Sequence, residues 1–271
     1  MSQFLTRFAP SPTGKLHLGH AASAFAVWQA AARAGGDVIL RIEDIDTTRC
    51  RPAYTDAIYE DLEWLGFEWS SYVRVQSDHF SDYAAVVRQL ADLGLAYRCF
   101  LTRAQIGEGV FTGKPLHRRV EEDLLDKDTP FAWRLSLAVA RDHLGQTWDD
   151  LSYRLATATG VETVKADPDI LGDIIIARKD TPSAYHIAAT HDDDLQSITH
   201  VIRGEDLIDA PHVQTLLQVL LGWDQPIYQH HPLIIGPDGN RLSKSHGSIA
   251  LADLRAEGKT PDDIRRLTGF A

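Results

Sequence analysis

The chain opens with a short apolar run, Phe4, Leu5 and Phe8, which predicts a single buried strand. Pro10 and Pro12 forbid a regular helix or central strand after it, and Gly14 permits a tight reversal. From Leu18 the pattern turns helical and runs through AASAFAVWQAAARA to Gly35-Gly36, a C-cap signal. In 37–45, Val38, Ile39, Leu40 and Ile42 form a nearly continuous apolar run, as in a parallel strand buried on both faces. In 52–65, Pro52 sits at an N1-like position and Ile58, Leu62 and Leu65 share one face, so a helix is expected, stopped by Gly66. Residues 73–76 read as a short strand. The next helix, capped by Ser77 or Ser81, carries Tyr83, Val86, Val87, Leu90 and Leu93 and stops at Gly94. Such alternation predicts an α/β fold built on a Rossmann-like, doubly wound parallel sheet.

Near Tyr97 the rhythm changes. Residues 98–178 hold short apolar segments and turn residues, which predicts an inserted mixed α+β subdomain; 131–137 alternates as a strand. Residues 171–178 and 183–189 read as strands separated by a turn, and 191–194, His-Asp-Asp-Asp, as a polar turn rather than a metal cluster. A strand is expected at 199–203, a helix at 211–221 ended by Gly222, and a last strand at 227–231. His230 and His231 are adjacent on that strand and so face opposite ways. A firm turn at 236–240 and two short helices at 251–256 and 261–267 complete the chain. Three parts follow: 1–97 as the first half of the doubly wound domain, 98–178 as the insert, and 179–271 as the second half.

Candidate chemistry clusters at the strand ends. His17 and His20 are three apart where a turn hands over to a helix N-terminus, an anion site by its unpaired N–H groups and dipole. Gly19 leaves room for a base or phosphate to approach the backbone. Two such histidines by themselves are also what a surface turn contains. Glu43 ends a strand where open α/β sheets bind ligands and suits a ligand ammonium; a solvated acidic strand end is the other reading. Arg203 ends another strand, and Arg7 lies on the first; either guanidinium suits a carboxylate.

Bulk properties narrow the classes. The 271 residues suffice for one large domain or two modest ones, with 44% apolar and 24% charged residues. No apolar run approaches the ~20 residues of a membrane helix, and no basic segment leads into an apolar run as in a signal peptide. Only Cys50 and Cys99 are present, so a disulfide framework is excluded and a reducing, cytoplasmic setting is expected. A net charge of −11 argues against strong non-specific nucleic-acid binding. It leaves room for a local basic face at Arg98, Arg103, Lys114, Arg118 and Arg119, which a solvated charged surface explains as well.

The stretch RFAPSPTGKLHLGH, from Arg7 to His20, closely resembles the N-terminal ATP-binding signature of class I aminoacyl-tRNA synthetases, most of all the glutamyl branch. RIEDID with Thr47-Thr48-Arg49, then YHIAAT and VIRGED, resemble further landmarks of that branch, and RLSKS resembles the second class I signature, a loop suited to close on triphosphate. The resemblance implies ATP with Mg2+ as cofactors, His17, Gly19, His20 and Lys244 on ATP, and His17, His20 and Lys244 as the catalytic stabilisers of phosphate charge. It implies Arg7, Ser11, Glu43, Tyr185 and Arg203 on glutamate, without saying which arginine takes which carboxylate. The insert matches the part that grips the acceptor end of tRNA.

Many relatives carry zinc on a Cys-x-Cys pair where this chain has Cys99-Phe100-Leu101. Cys99 is then the only matching ligand, with His117 the one good ligand nearby, so no metal site is expected, zinc is read as lost and Cys99 as a buried small side chain. Few residues follow Ser245, so no anticodon-binding domain is expected. The resemblance is thus to a truncated branch of the glutamyl family that attaches glutamate to queuosine in the anticodon of tRNA(Asp). It implies glutamate and queuosine-containing tRNA(Asp) as partners, no membrane and no obligate protein partner. The alternatives are a glutamyl core charging the 3′ end of tRNA(Glu), a different nucleotidyltransferase, and a non-catalytic paralogue.

Overall fold

The computed structural model describes residues 3–70, 72–113, 129–234 and 249–270. The first strand, β1 (Leu5–Phe8), pairs in parallel with β2 (Asp37–Ile42), Leu5 opposite Asp37. Helix α1 (Leu18–Ala34) crosses between them and stops at Gly35, whose φ of 62° is the left-handed C-cap. Gly36 then passes so close to β1 that an added Cβ would lie 2.3 Å from the Phe4 carbonyl oxygen, which restricts the position to glycine. Helix α2 (Pro52–Trp64) leads to β3 (Arg74–Val75), parallel to β2 on its far side. A 3-10 turn (Gln76–His79) and α3 (Phe80–Asp92) follow.

The middle of the chain builds β4 (Ala96–Cys99), α4 (Arg103–Ile106), β5 (Ala132–Leu135), α5 (Leu137–Leu144), α6 (Gln146–Asp149), the hairpin β6 (Ser152–Thr157) and β7 (Gly160–Lys165), and β8 (Ile175–Ala177). Strands β4, β5 and β8 form a separate antiparallel sheet. Then come α7 (Tyr185–Leu195), β9 (His200–Gly204), α8 (Ala210–Leu221), β10 (Ile227–His231), α9 (Leu251–Ala256) and α10 (Pro261–Leu267). Strand β10 runs parallel to both β9 and β6, so the 98–178 stretch also contributes to the parallel sheet.

The two parallel halves meet at β1 and β9. The Thr199 amide donates to the Leu5 carbonyl at 3.0 Å, and the Leu5 amide donates to Thr199 Oγ1 at 2.8 Å. Strand β1 edges one sheet, β1-β2-β3, and β9 edges another, β9-β10-β6-β7; the two sheets abut at these strands, and the winding reverses between them. That reversal is the switch point where such α/β folds open a crevice for ligand. Apolar side chains close both faces: Phe25, Leu40, Ile58 and Leu62 on one, Tyr83, Leu90, Ile176, Val213 and Leu216 on the other.

Three sequence expectations are corrected. Residues 183–189 are not a strand: Ser183 and Ala184 precede α7, whose buried face takes Ile187, Ala188 and Ala189. Nor is 191–194 a polar turn; it belongs to the same helix, with Asp192 and Asp193 buried as partners of arginines. Finally, α3 is capped by neither Ser77 nor Ser81, because the Ser77 amide and hydroxyl instead donate to Asp44, at 2.8 and 2.6 Å. No helix among the described residues is long and apolar enough to cross a membrane.

Candidate active site

Helix α1 begins in a capping box made of two histidines. His17 is the N-cap, in extended backbone, and its Nδ1 accepts the Gly19 amide at 3.1 Å. His20 Nδ1 accepts the His17 amide at 3.1 Å. A box of this kind usually pairs a hydroxyl with a carboxylate. With Nδ1 of both rings spent as acceptor, each neutral imidazole carries its proton on Nε2. The ring centroids lie 3.9 Å apart. Two N–H donors therefore sit at a helix end that already favours anions.

A cavity of about 620 Å³ opens above this helix end at the β1–β9 reversal. It is lined by Arg7, Ser11, His17, Gly19, His20, Glu43, Tyr185 and Arg203, so every described residue expected in the site meets there. Arg203 is buried without a carboxylate partner among the described residues. Its Nε donates to His230 Nε2 at 3.4 Å, its Nη1 to the Tyr185 hydroxyl at 3.4 Å, and its Nη2 has no partner among the described residues. An unmet buried guanidinium nitrogen is costly unless a ligand supplies the acceptor. Burial, with Arg203 adding to it, pushes His230 down to about 4, and the same two causes push His186 down to about 4. Arg203 is thus backed by neutral rings and keeps its charge for the cleft.

Arg7 is held differently, its Nε donating to Asp193 Oδ1 at 2.9 Å. The same oxygen accepts Arg41 Nη2 at 2.7 Å, and Arg41 reaches on to Glu43 Oε1 at 3.3 Å and Gln196 Oε1 at 3.0 Å. Burial works to raise Asp193, and Arg7 and Arg41 overcome it and hold the carboxyl below its ordinary range. Burial pushes Glu43 up against the pull of Arg41 and Arg7, so an arriving ammonium would favour its charged form. Ser11 Oγ lies 3.8 Å from Cys50 Sγ at the cleft edge.

A larger cavity of about 1800 Å³ shares Ser11, Glu43 and Tyr185 with the first and extends to the β4-β5-β8 sheet. Its walls include Cys99, Leu101, Phe111, Arg134, Arg178 and Lys179. Cys99 is buried on β4 opposite Ala132. Arg98 stacks over Phe131 and Trp133, at 5.2 and 5.9 Å to the ring centroids. Lys244, Lys114, His117, Arg118 and Arg119 lie outside the described residues. Of the described residues that flank the stretch holding Lys244, Ile234 lines the smaller cavity and Ala250 bridges His17. Among the described residues no group of three or more His, Cys, Asp or Glu converges on a metal position.

Sequence reasoning missed Asp193, Arg41 and His230. The one available signal was a charged residue inside an apolar strand, Arg41 between Leu40 and Ile42, which demands a buried counter-charge.

The fold is that of an α/β protein with a cleft at the sheet reversal lined by the basic side chains Arg7 and Arg203 and by the N-terminal end of α1. Residues 3–268 match the family model described as tRNA synthetases class I (E and Q), catalytic domain. The chain belongs to that family and is an enzyme of the ligase class. It is 38% identical to the glutamyl-Q tRNA(Asp) synthetase of Rhodobacter capsulatus over 98% of this chain and 100% of that protein. It is 35% identical to the glutamate–tRNA ligase of Coprothermobacter proteolyticus, covering 96% of this chain but 56% of the relative. Among solved structures, the glutamate tRNA ligase of Elizabethkingia meningosepticum, in complex with its amino acid, matches with a TM-score of 0.72 at 31% identity, covering 91% of this chain and 53% of that one. The chain therefore spans about half the length of the glutamate–tRNA ligases it matches.

Proposed function

We propose that the chain activates glutamate with ATP and transfers it to queuosine in the anticodon of tRNA(Asp). The observation that carries the glutamate half is Arg203 Nη2, buried without a partner among the described residues, in one cleft with the N–H-rich end of α1. A carboxylate and a polyphosphate are the two ligands that such a cleft accommodates together.

In the first step an α-carboxylate oxygen of glutamate attacks the α-phosphorus of ATP, the bond to the β-phosphate oxygen breaks, and pyrophosphate leaves. The chain's part is to position the reactants and stabilise charge. His17 and His20 donate through Nε2, and Lys244 adds positive charge. Arg7, Ser11, Glu43, Tyr185 and Arg203 hold glutamate. Mg2+ is expected to arrive on the triphosphate, and no step is assigned to it. In the second step an acceptor hydroxyl attacks the carbonyl carbon of glutamyl-adenylate, and AMP leaves with the bonding electrons.

The acceptor half rests on the Rhodobacter capsulatus relative, matched over its entire length, and on the larger cavity, which shares Ser11, Glu43 and Tyr185 with the first. Glutamate bound at that common wall would face ATP on one side and an acceptor on the other. A single-stranded loop with splayed bases suits a chamber of that size. The division of the chain at 97 and 178 belongs to this reading, with 98–178 as the acceptor-facing insert.

The test charges tRNA from cells able or unable to make queuosine with labelled glutamate. Labelling only of queuosine-containing tRNA is expected. Undiminished labelling of queuosine-free tRNA with an intact 3′ end would return the chain to a core that charges tRNA(Glu). Absence of glutamate-dependent ATP–pyrophosphate exchange, with or without tRNA, would leave a non-catalytic paralogue.

A further inference from the structure

Four alternating charges run through the floor of the sheet: Arg7 on β1, Asp193 on α7, Arg41 on β2 and Glu43 just beyond it. Only the two ends, Arg7 and Glu43, line the smaller cavity. The two middle members are buried behind them, Arg41 at 0% exposure and Asp193 at 5%. The ends have opposite sign, as the carboxylate and ammonium of an α-amino acid do.

We infer that Asp193 and Arg41 are positioning residues that fix the spacing and orientation of Arg7 and Glu43, and so set the affinity for the amino-acid zwitterion. This rests on the glutamate-activating reading above. One oxygen, Asp193 Oδ1, fixes both arginines, at 2.9 and 2.7 Å. Arg41 then uses the nitrogen that meets Asp193 to reach Glu43 as well, so moving either middle group moves both ends. Charge balance adds to this: two cations and two carboxylates cancel along the row, leaving the charge of Arg203 for the second carboxylate of a dicarboxylic amino acid.

The same helix supplies an internal control. Asp192 is also buried, but its side-chain partners are Arg74 at 2.9 Å, Gln76 at 3.0 Å, Tyr83 at 2.8 Å and His191 at 2.9 Å, none of which lines the smaller cavity. Loss of either aspartate removes buried charge-assisted hydrogen bonds and destabilises the fold. Only loss of Asp193 should reach the amino acid.

The experiment compares Asp193→Asn, Asp192→Asn and Arg41→Lys in glutamate-dependent ATP–pyrophosphate exchange, with melting temperatures recorded alongside. Asp193→Asn is expected to raise the KM for glutamate roughly tenfold or more, as for one lost charge-assisted bond on a binding group, and to leave the KM for ATP within about twofold. Asp192→Asn should lower the melting temperature without moving either KM. Arg41→Lys keeps the buried charge but cannot span Asp193, Glu43 and Gln196; it gives the same selective glutamate defect even if Asp193→Asn fails to fold. Equal shifts in both KM values, or the same glutamate defect in Asp192→Asn, would overturn the inference and leave the glutamate-activating reading standing. A wild-type chain that exchanges pyrophosphate with no amino acid would overturn both.

Discussion

Arg203 and His230 sit directly opposite each other on the neighbouring strands β9 and β10, and the arginine Nε reaches the imidazole Nε2 at 3.4 Å. That contact uses one edge of the guanidinium and a neutral partner. The positive charge is therefore oriented without being cancelled. Arg7, by contrast, is held by a carboxylate. The two arginines of the cleft are thus not equivalent, a difference that their sequence contexts do not carry.

Arg203→Ala should therefore act on glutamate. A charge-assisted hydrogen bond to a ligand carboxylate is worth about 1.5–3 kcal/mol, so the KM for glutamate should rise roughly 10- to 100-fold. The KM for ATP should hold within about twofold. Steady-state pyrophosphate exchange at varied glutamate and at varied ATP separates the two, and an unchanged glutamate KM would remove Arg203 from the amino-acid site.

The histidines behind Arg203 give the protein a pH signature. Burial, reinforced by Arg203, lowers His186 and His230 to about 4, against about 6.5 in an unfolded chain. As pH falls through that window the unfolded chain takes up protons that the folded chain refuses, so stability is lost. His200 and His212, also lowered by burial, add to the same slope. Asp61 on α2 and Glu43 work the other way: burial raises both, Asp61 to about 6, so the folded chain gains their protons first and stability increases as they are protonated. The histidines outnumber them. The melting temperature should fall steadily from pH 6.5 to pH 5, His230→Gln should flatten the fall, and Asp61→Asn should steepen it. A flat profile in all three proteins would contradict the neutral-histidine assignment.

How much of this was legible in the sequence depends on how local each cause is. The extent of α1, its glycine stop and the start of the strand after it follow from periodicity and one φ-permissive residue, and the folded chain agrees on these to within a residue; the strand ends at Ile42 rather than at the expected 45, where the acidic residues begin. Helix α7 was misread because its two buried aspartates look like solvent-facing ones. What buries Asp193 are Arg7, 186 positions away, and Arg41, 152 positions away. No window along the chain contains that pairing. The cleft-lining residues were legible through the family signatures, whereas the groups behind them carry no spacing signal of their own.

Zinc offers a further check. Cys99 is buried on β4, and Leu101, two positions on, lines the same cavity where a second thiolate would be needed. A structural zinc site closes with four ligands. Protein purified without chelator should carry well under one zinc per chain, and treatment with a chelator should leave its melting temperature unchanged. One tightly held zinc would overturn this and point to Cys99 with ligands in 114–128, where His117 lies.

The last prediction separates the two jobs of His17. As N-cap it accepts the Gly19 amide, a role that asparagine performs equally well. As a phosphate ligand it would donate through Nε2, which asparagine at this position cannot reproduce at the reach of an imidazole. His17→Asn should therefore keep stability within about 0.5 kcal/mol of wild type, whereas His17→Ala should lose about 1 kcal/mol with the cap. Both should slow adenylate formation alike, roughly 10²–10³-fold if the contact belongs to the transition state, as for an oxyanion donor. Lys244→Ala should match them in rate and leave the KM for glutamate unmoved, because its partner is phosphate charge that grows during transfer. Thermal unfolding together with single-turnover adenylation reads all three variants. If His17→Asn turned over at the wild-type rate, the imidazole would be a helix cap alone, and charge stabilisation in the first step would fall to His20, Lys244 and the amides of α1.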